Sequence, residues 1–218
     1  MVKQRLSLHY QVSGSGAPLI MLHGNGEDLS IFNELTESLN PYFTVYCIDS
    51  RNHGQSPHHQ PISYPLMTDD LIHFINTLNL EKPYVLGFSD GGIVALMTAM
   101  KEPKLIEKMI LCGVNYHYRG LDKTLRLAMK RQNQIKPDPL IELMLKAPKI
   151  KKSALRKCQT PALLIVGDKD VILPQHTLKL HRYLPQSKLL ILKDETHDSY
   201  VVNQTTLLPH LIAYLKKS

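Results

Sequence analysis

Six short apolar runs constrain this chain more than any other feature: residues 18–22, 43–48, 84–88, 108–112, 161–166 and 188–192. A strand that is apolar along its length, instead of alternating with polar residues, must be covered on both faces, as strands of parallel sheets are. Stretches with helical spacing lie between or after them, at about 30–40, 66–78, 91–100, 175–183 and 205–216. Strands alternating with helices imply right-handed crossovers and a mostly parallel sheet with helices on both faces. The expected fold class is therefore a three-layer α/β domain. Residues 6–12 alternate apolar and polar before Ser13, Gly14, Ser15 and Gly16, which reads as an edge strand and turn. The rhythm lapses over residues 114–159, where basic sequence with weak helical pattern replaces the next strand. That segment is expected to be a short helical insertion over the sheet's carboxyl edge. Residues 1–113 and 160–218 then form one core.

Composition narrows the class. With 218 residues, 43% of them hydrophobic, the chain can bury a substantial core without a metal or disulfide framework. Met1, Val2, Lys3, Gln4 and Arg5 have no apolar stretch behind them long enough for a signal peptide, and no run approaches the roughly eighteen residues of a membrane span. A cytoplasmic location without membrane partner is the expectation. Cys47, Cys112 and Cys158 are odd in number and widely spaced, and none has a flanking motif that would activate a thiolate. The net charge of +7 is not spread evenly: residues 118–157 hold twelve Lys/Arg against three Asp/Glu, and the rest sums to −2. A basic patch confined to one insertion suits a solvated helical face, or a lure for anionic substrates or surfaces, better than a groove that tracks nucleic-acid phosphates. No nucleic-acid partner is expected.

Ligands in such sheets bind at the carboxyl ends of the strands, and chemistry-bearing residues follow four of them. Ser89 lies between an apolar strand and a helix, with Gly87 and Gly91 two residues to either side. A serine on so sharp a turn brings its neighbours against other backbone, so those positions must be nearly free of side chain. The G-x-S-x-G pattern alone is weak, arising by accident in about one chain of this length in fifteen. A serine also needs a base of near-neutral pKa, and the base a carboxylate to fix its tautomer. His197 follows the last strand; Asp168 and Asp170 follow the one before it, and the order Ser, Asp, His is that of a known hydrolase topology.

Taken together, His23, Gly24, Asn25 and Gly26; Asp49 through Ser56; Gly87, Phe88, Ser89, Asp90, Gly91 and Gly92; Gly167 through Asp170; and Thr196 with His197 resemble the α/β-hydrolase superfamily over nearly the whole chain. The run from Gly87 to Asn115 is similar to the biphenyl-hydrolase-like and valacyclovir-hydrolase group. The resemblance implies Ser89 as nucleophile, His197 as base and Asp170 as acid, chosen over Asp168 because Val171 and a Pro-containing helix start follow it. Asp168 is then expected to stabilise its turn. The same resemblance implies an oxyanion hole from the backbone N–H groups of Asn25 and Asp90, with the Asp90 carboxylate and Asn25 against the substrate. In the narrower group the aspartate is understood to receive a substrate's α-amino group; a carboxylate in the first turn of a helix is also favoured there whatever the substrate.

Other candidates have plainer readings. His23 is expected to orient its loop, and Arg51, Asn52 and His53 to hold theirs, with Asn52 standing where the family usually has glycine. His58 and His59 form a solvated pair lacking metal-ligand spacing, so no metal or cofactor is expected. The activity expected is hydrolysis of small carboxylic esters through an acyl-enzyme, with amino-acid esters as one class. Carbon–carbon bond hydrolysis of a small diketone-like substrate is an alternative, as is a ligand-binding or signalling protein that keeps the hydrolase shell.

Overall fold

The computed structural model describes residues 6–216; residues 1–5, where no targeting segment was expected, lie outside that range. Seven strands form one sheet: β1 (Tyr10–Gly14), β2 (Ala17–Leu22), β3 (Phe43–Ile48), β4 (Tyr84–Phe88), β5 (Met109–Cys112), β6 (Ala162–Gly167) and β7 (Ser187–Leu192). Their order across the sheet is β1-β3-β2-β4-β5-β6-β7. Only β1 runs antiparallel, with Tyr10 opposite Ile48 and Gly14 opposite Thr44. The edge strand thus starts later and ends later than its alternation suggests. Pairing with β3 from Ile48 back to Thr44 draws Ser13 and Gly14 into the ladder, and Gly14 ends it with a φ of +77°.

The helices are α1 (Asn33–Leu39), α2 (Tyr64–Thr77), α3 (Asp90–Lys101), α4 (Lys123–Ile135), α5 (Pro139–Lys146), α6 (Lys152–Leu155), α7 (Pro174–Tyr183) and α8 (Leu208–Leu215). Caps set several of the starts. Asp28 accepts from Ser30 N–H and opens a 3-10 turn, Leu29–Phe32, ahead of α1. Ser63 accepts from Leu66 N–H, so α2 begins two residues before its apolar pattern, with Pro65 in the first turn where a missing N–H costs nothing.

Two cores flank the sheet. Leu71 and Ile75 of α2, Ile93 and Leu96 of α3 and Leu180 of α7 pack on one face. On the other, Leu35 and Leu39 of α1 and Leu211 and Leu215 of α8 cover Leu19, Val45, Leu86 and Ile110. Alternate residues of one strand, such as Leu19 and Ile20, enter opposite cores, which is why the central runs are apolar throughout. Cys47, Cys112 and Cys158 are buried and free, and burial pushes the Cys47 thiol up to about 11. No helix among the described residues is long and apolar enough to cross a membrane.

Residues between β5 and β6 form α4, α5 and α6. Several contacts tie this segment to the loops beyond the strands: Asn25 Nδ2 donates to Leu140 O of α5 at 3.3 Å, and Asp122 N–H to Val171 O at 2.8 Å.

Candidate active site

β4 ends at Phe88 and α3 starts at Asp90, leaving Ser89 to make the turn with φ 50° and ψ −114°. A non-glycine residue there is strained, and strain persists only where the surroundings impose it. The surroundings are backbone. A Cβ added at Gly87 would lie 2.5 Å from Gly92 Cα, and one added at Gly91 would overlap Leu22 O and lie 2.7 Å from His23 O. Gly91 N–H donates to His23 O at 3.1 Å, and Ser89 N–H to Cys112 O at 2.8 Å. The glycines flanking Ser89 therefore permit α3 to press against the ends of β2 and β4, as their spacing implies.

Three of the expected site residues meet in one hydrogen-bonded line. His197 Nε2 is 3.1 Å from Ser89 Oγ, and His197 Nδ1 is 2.8 Å from Asp170 Oδ1. With Asp170 ionised, Nδ1 carries the proton and Nε2 is left to accept from the serine hydroxyl. Asp170 Oδ1 also accepts from Ile172 N–H at 2.8 Å, and its side chain is 1% exposed. The imidazole is fixed on both sides: Phe88 lies against it with ring centroids 5.0 Å apart, and Gly113, at φ +58°, faces it so closely that an added Cβ would lie 2.7 Å from His197 Cε1. Asp168 behaves differently from expectation. Its carboxylate is exposed and makes no hydrogen bond among the described residues, while the backbone bond that steadies this turn goes to Asp170. The Ile172 amide is within reach of Asp170 because the chain turns into α7 immediately after it.

The loop after β2 is held by two histidines. His23 Nε2 accepts from Ser50 N–H at 3.0 Å, so Nδ1 bears the hydrogen and donates to Gly24 O at 2.7 Å. Burial lowers the pKa of His23 to about 4, which keeps the ring neutral and able to accept. His53 repeats the arrangement, accepting from Gly26 N–H at 3.0 Å and donating to Arg51 O at 2.9 Å. Since Gly24 C=O and Asn25 N–H belong to one planar peptide and point opposite ways, tying the carbonyl to His23 sets the direction of the Asn25 N–H. Among the described residues the backbone N–H groups of Asn25 and Asp90 have no hydrogen-bond acceptor.

Below this loop, Arg51 is bound bidentately to Asp70, with both N···O distances 2.6 Å, and Asn52 adopts φ 64°. Asparagine is one of the few residues that tolerate this region. Its side chain closes the loop by pairing with both Gln60 N–H and Gln60 O, so the absent glycine does not loosen the turn. His58 and His59 are exposed, as their loop setting suggests.

The Asp90 side chain is 4% exposed and both its oxygens are engaged. Tyr64 OH donates to Oδ1 at 2.7 Å and Asn25 Nδ2 to Oδ2 at 2.9 Å. Burial raises its pKa, against the lowering effect of these two bonds. With Asn25 Nδ2 shared between Asp90 and Leu140 O, this side chain links α3, the loop after β2 and α5.

Two contributors carry no signal in the sequence. Tyr64 lies in a helix start 26 residues from its partner. Glu27 Oε2 accepts from Gly24 N–H at 2.8 Å, and an added Cβ at Gly24 would lie 2.7 Å from that oxygen and 3.2 Å from Ser89 Cβ. The carboxylate and the serine thus flank one glycine. Burial raises the pKa of Glu27 above its ordinary 4.5, opposed by the Gly24 hydrogen bond and by His197. A carboxyl held above its unfolded value takes stability away as pH climbs past that unfolded value. Glu27→Gln keeps an acceptor for Gly24 without the charge. Its Tm advantage over the parent is expected to be smallest at pH 4 and to grow toward pH 7; a difference constant across that range would contradict the assignment.

Residues 17–138 match the α/β hydrolase fold family. The chain belongs to that family. Over 115 residues, 50% of the chain, it is 36% identical to the sn-1-specific diacylglycerol lipase ABHD11 of Danio rerio, covering 36% of that protein's length. The chain thus spans about a third of this relative. Serine hydrolase BPHL of Homo sapiens is 26% identical over 90% of this chain and 78% of its own. Among solved structures, a thermophilic esterase from Thermogutta terrifontis superposes with a TM-score of 0.82 at 21% identity, over 100% of this chain and 96% of that one, a likeness of fold.

Proposed function

We propose that the protein is a serine hydrolase of small carboxylic esters. The observation that carries this reading is the line Ser89 Oγ, His197 Nε2, His197 Nδ1, Asp170 Oδ1, with distances of 3.1 and 2.8 Å, on a strained strand-to-helix turn. Ser89 attacks the ester carbonyl as His197 takes its proton, and Asp170 stabilises the imidazolium. The amides of Asn25 and Asp90 receive the oxyanion, aimed before the reaction begins. His197 then gives its proton to the leaving alcohol, and water repeats the sequence on the acyl-enzyme.

For the Asp90 side chain, the pair of bonds from Tyr64 and Asn25 favours a positioning role: it holds Asn25, and with it the oxyanion loop, against α3. Asp90→Asn then lowers kcat on acetyl and amino-acid esters alike. A loss confined to amino-acid esters would reassign it to a substrate's amine.

The reading is tested by a fluorophosphonate probe together with p-nitrophenyl esters from acetyl to octanoyl. Labelling is expected on Ser89 and abolished by Ser89→Ala, with turnover of the short esters. Labelling that survives Ser89→Ala refutes the nucleophile; labelling without turnover of any ester moves the protein to carbon–carbon hydrolysis or to ligand binding.

A further inference from the structure

A cavity of about 1070 Å³ lies apart from the line from Ser89 to Asp170. Three segments distant in sequence wall it: the chain leaving β5, the end of the segment between β5 and β6, and the start of α7. Backbone bonds join these walls. Ile150 N–H donates to Tyr116 O at 2.9 Å, Tyr118 N–H to Pro148 O at 2.9 Å, and Leu173 N–H to Gly120 O at 2.8 Å. The Tyr116 and His176 rings stack with centroids 4.0 Å apart, and His176 Nε2 accepts from Tyr116 N–H at 3.1 Å. The concavity therefore has backbone walls and is not a gap between mobile side chains.

Its lining is unusual in charge. Arg119, Lys149, Lys151, Lys152 and Lys179 all contribute, and no Asp or Glu does. Elsewhere on the same surface lysines have found acids: Lys82 with Glu107, Lys101 with Asp69, Lys146 with Glu142 and Lys169 with Asp194. Among the described residues none of the five cavity cations has a carboxylate within ion-pair distance. Instead Arg119 and Lys149 lie over the Tyr118 ring, at 5.7 and 5.6 Å, and Lys152 over Tyr183 at 5.6 Å. Five like charges gathered around one concavity repel one another, and a bound polyanion relieves that repulsion. The imidazoles register the same field. After burial, the charges of Arg119 and Lys149 hold His117 low, and after burial and His117, that of Lys179 helps bring His176 down to about 4.

Between the cations, Ile150, Leu173, Pro174 and the lysine stems supply apolar floor, with Leu173 40% exposed. A ligand matched to it combines several negative charges with an organic body. The volume lies at the upper end of small-molecule sites, and a concave wall suits a small molecule better than a flat membrane. We propose that this cavity binds a phosphorylated organic small molecule carrying at least two negative charges, independently of Ser89.

The test is calorimetric titration of the full chain with inorganic pyrophosphate and with phenyl phosphate at low ionic strength. It compares the parent, the triple variant Lys149→Gln, Lys152→Gln, Lys179→Gln, and a control of equal charge, Lys123→Gln, Lys130→Gln, Arg131→Gln, on exposed positions of α4. Thermal melts establish that both variants are folded. Expected are a Kd for pyrophosphate weakened at least tenfold by the cavity triple and less than threefold by the α4 triple, and unchanged binding in Ser89→Ala. The proposal is overturned if the parent binds neither probe, if both triples weaken binding equally, or if the parent binds vesicles rich in phosphatidylserine while ignoring both soluble probes.

Discussion

His197→Ala is expected to lower kcat for p-nitrophenyl acetate by about 10⁴-fold or more, and Ser89→Ala added to it to lower kcat little further. Residues that act as one unit are grossly non-additive: without the base the serine is a neutral alcohol, and without the serine the base has no proton to take. The coupling follows from the proposed roles, with His197 Nε2 3.1 Å from Ser89 Oγ and Nδ1 2.8 Å from Asp170 Oδ1. Asp170→Asn tests the other side. An amide facing Nδ1 can present an N–H, which would force that nitrogen to accept and Nε2 to carry the proton, the wrong tautomer for deprotonating Ser89. A loss of similar order is expected there; because His197 Nδ1 and Ile172 N–H share Asp170 Oδ1, an amide nitrogen in that place also removes the acceptor of Ile172 N–H, and thermal melts of the variant separate lost catalysis from lost fold. Steady-state kinetics on the three single variants and the Ser89/His197 double variant decide the matter. Losses that multiply in the double variant would mean that the two side chains act separately.

How much of this could be read from residues alone depended on which contacts follow from position along a strand. Ser89 and Asp170 stand just beyond the central strands β4 and β6 and His197 beyond the edge strand β7, and a parallel sheet delivers such positions to one edge. Gly87 and Gly91 were legible for a related reason: a turn that sharp admits no Cβ beside it. Glu27 and Tyr64 were not. Glu27 matters because its loop folds back so that the carboxylate reaches Gly24 N–H, and Tyr64 because α2 starts beside α3. Both depend on loop conformation and helix packing, which have no period in sequence. The basic segment was legible as charge and illegible as shape. Arg119, Lys149 and Lys152 were visible as part of an excess of cations, but Lys179 comes from a different element, and only the folded chain brings it to the same wall.

Gly91→Ala is expected to be among the most damaging single methyls in the protein, costing roughly 4 kcal/mol. The added carbon would overlap Leu22 O and lie 2.7 Å from His23 O. Neither oxygen can retreat freely, because Leu22 ends a strand paired on one side with Ile48 and on the other with Gly87. Relief must come from α3, and moving α3 breaks the Gly91 N–H bond to His23 O and shifts Ser89 off the His197 line. At two to four degrees per kcal/mol for a chain of this size, Tm falls by about 10 °C. Gly26→Ala is the matched comparison. Gly26 has φ +75° with nothing within 4 Å of an added Cβ, so it isolates the backbone penalty of about 1 kcal/mol. Differential melts of the two variants separate the causes. Gly91 lies within α3 and carries no left-handed penalty, so a loss there no larger than that at Gly26 would remove the close approach of α3 to β2 as the reason for glycine at 91; a large loss at 91 alone, with labelling of Ser89 lost alongside it, ties the stability of the turn to its chemistry.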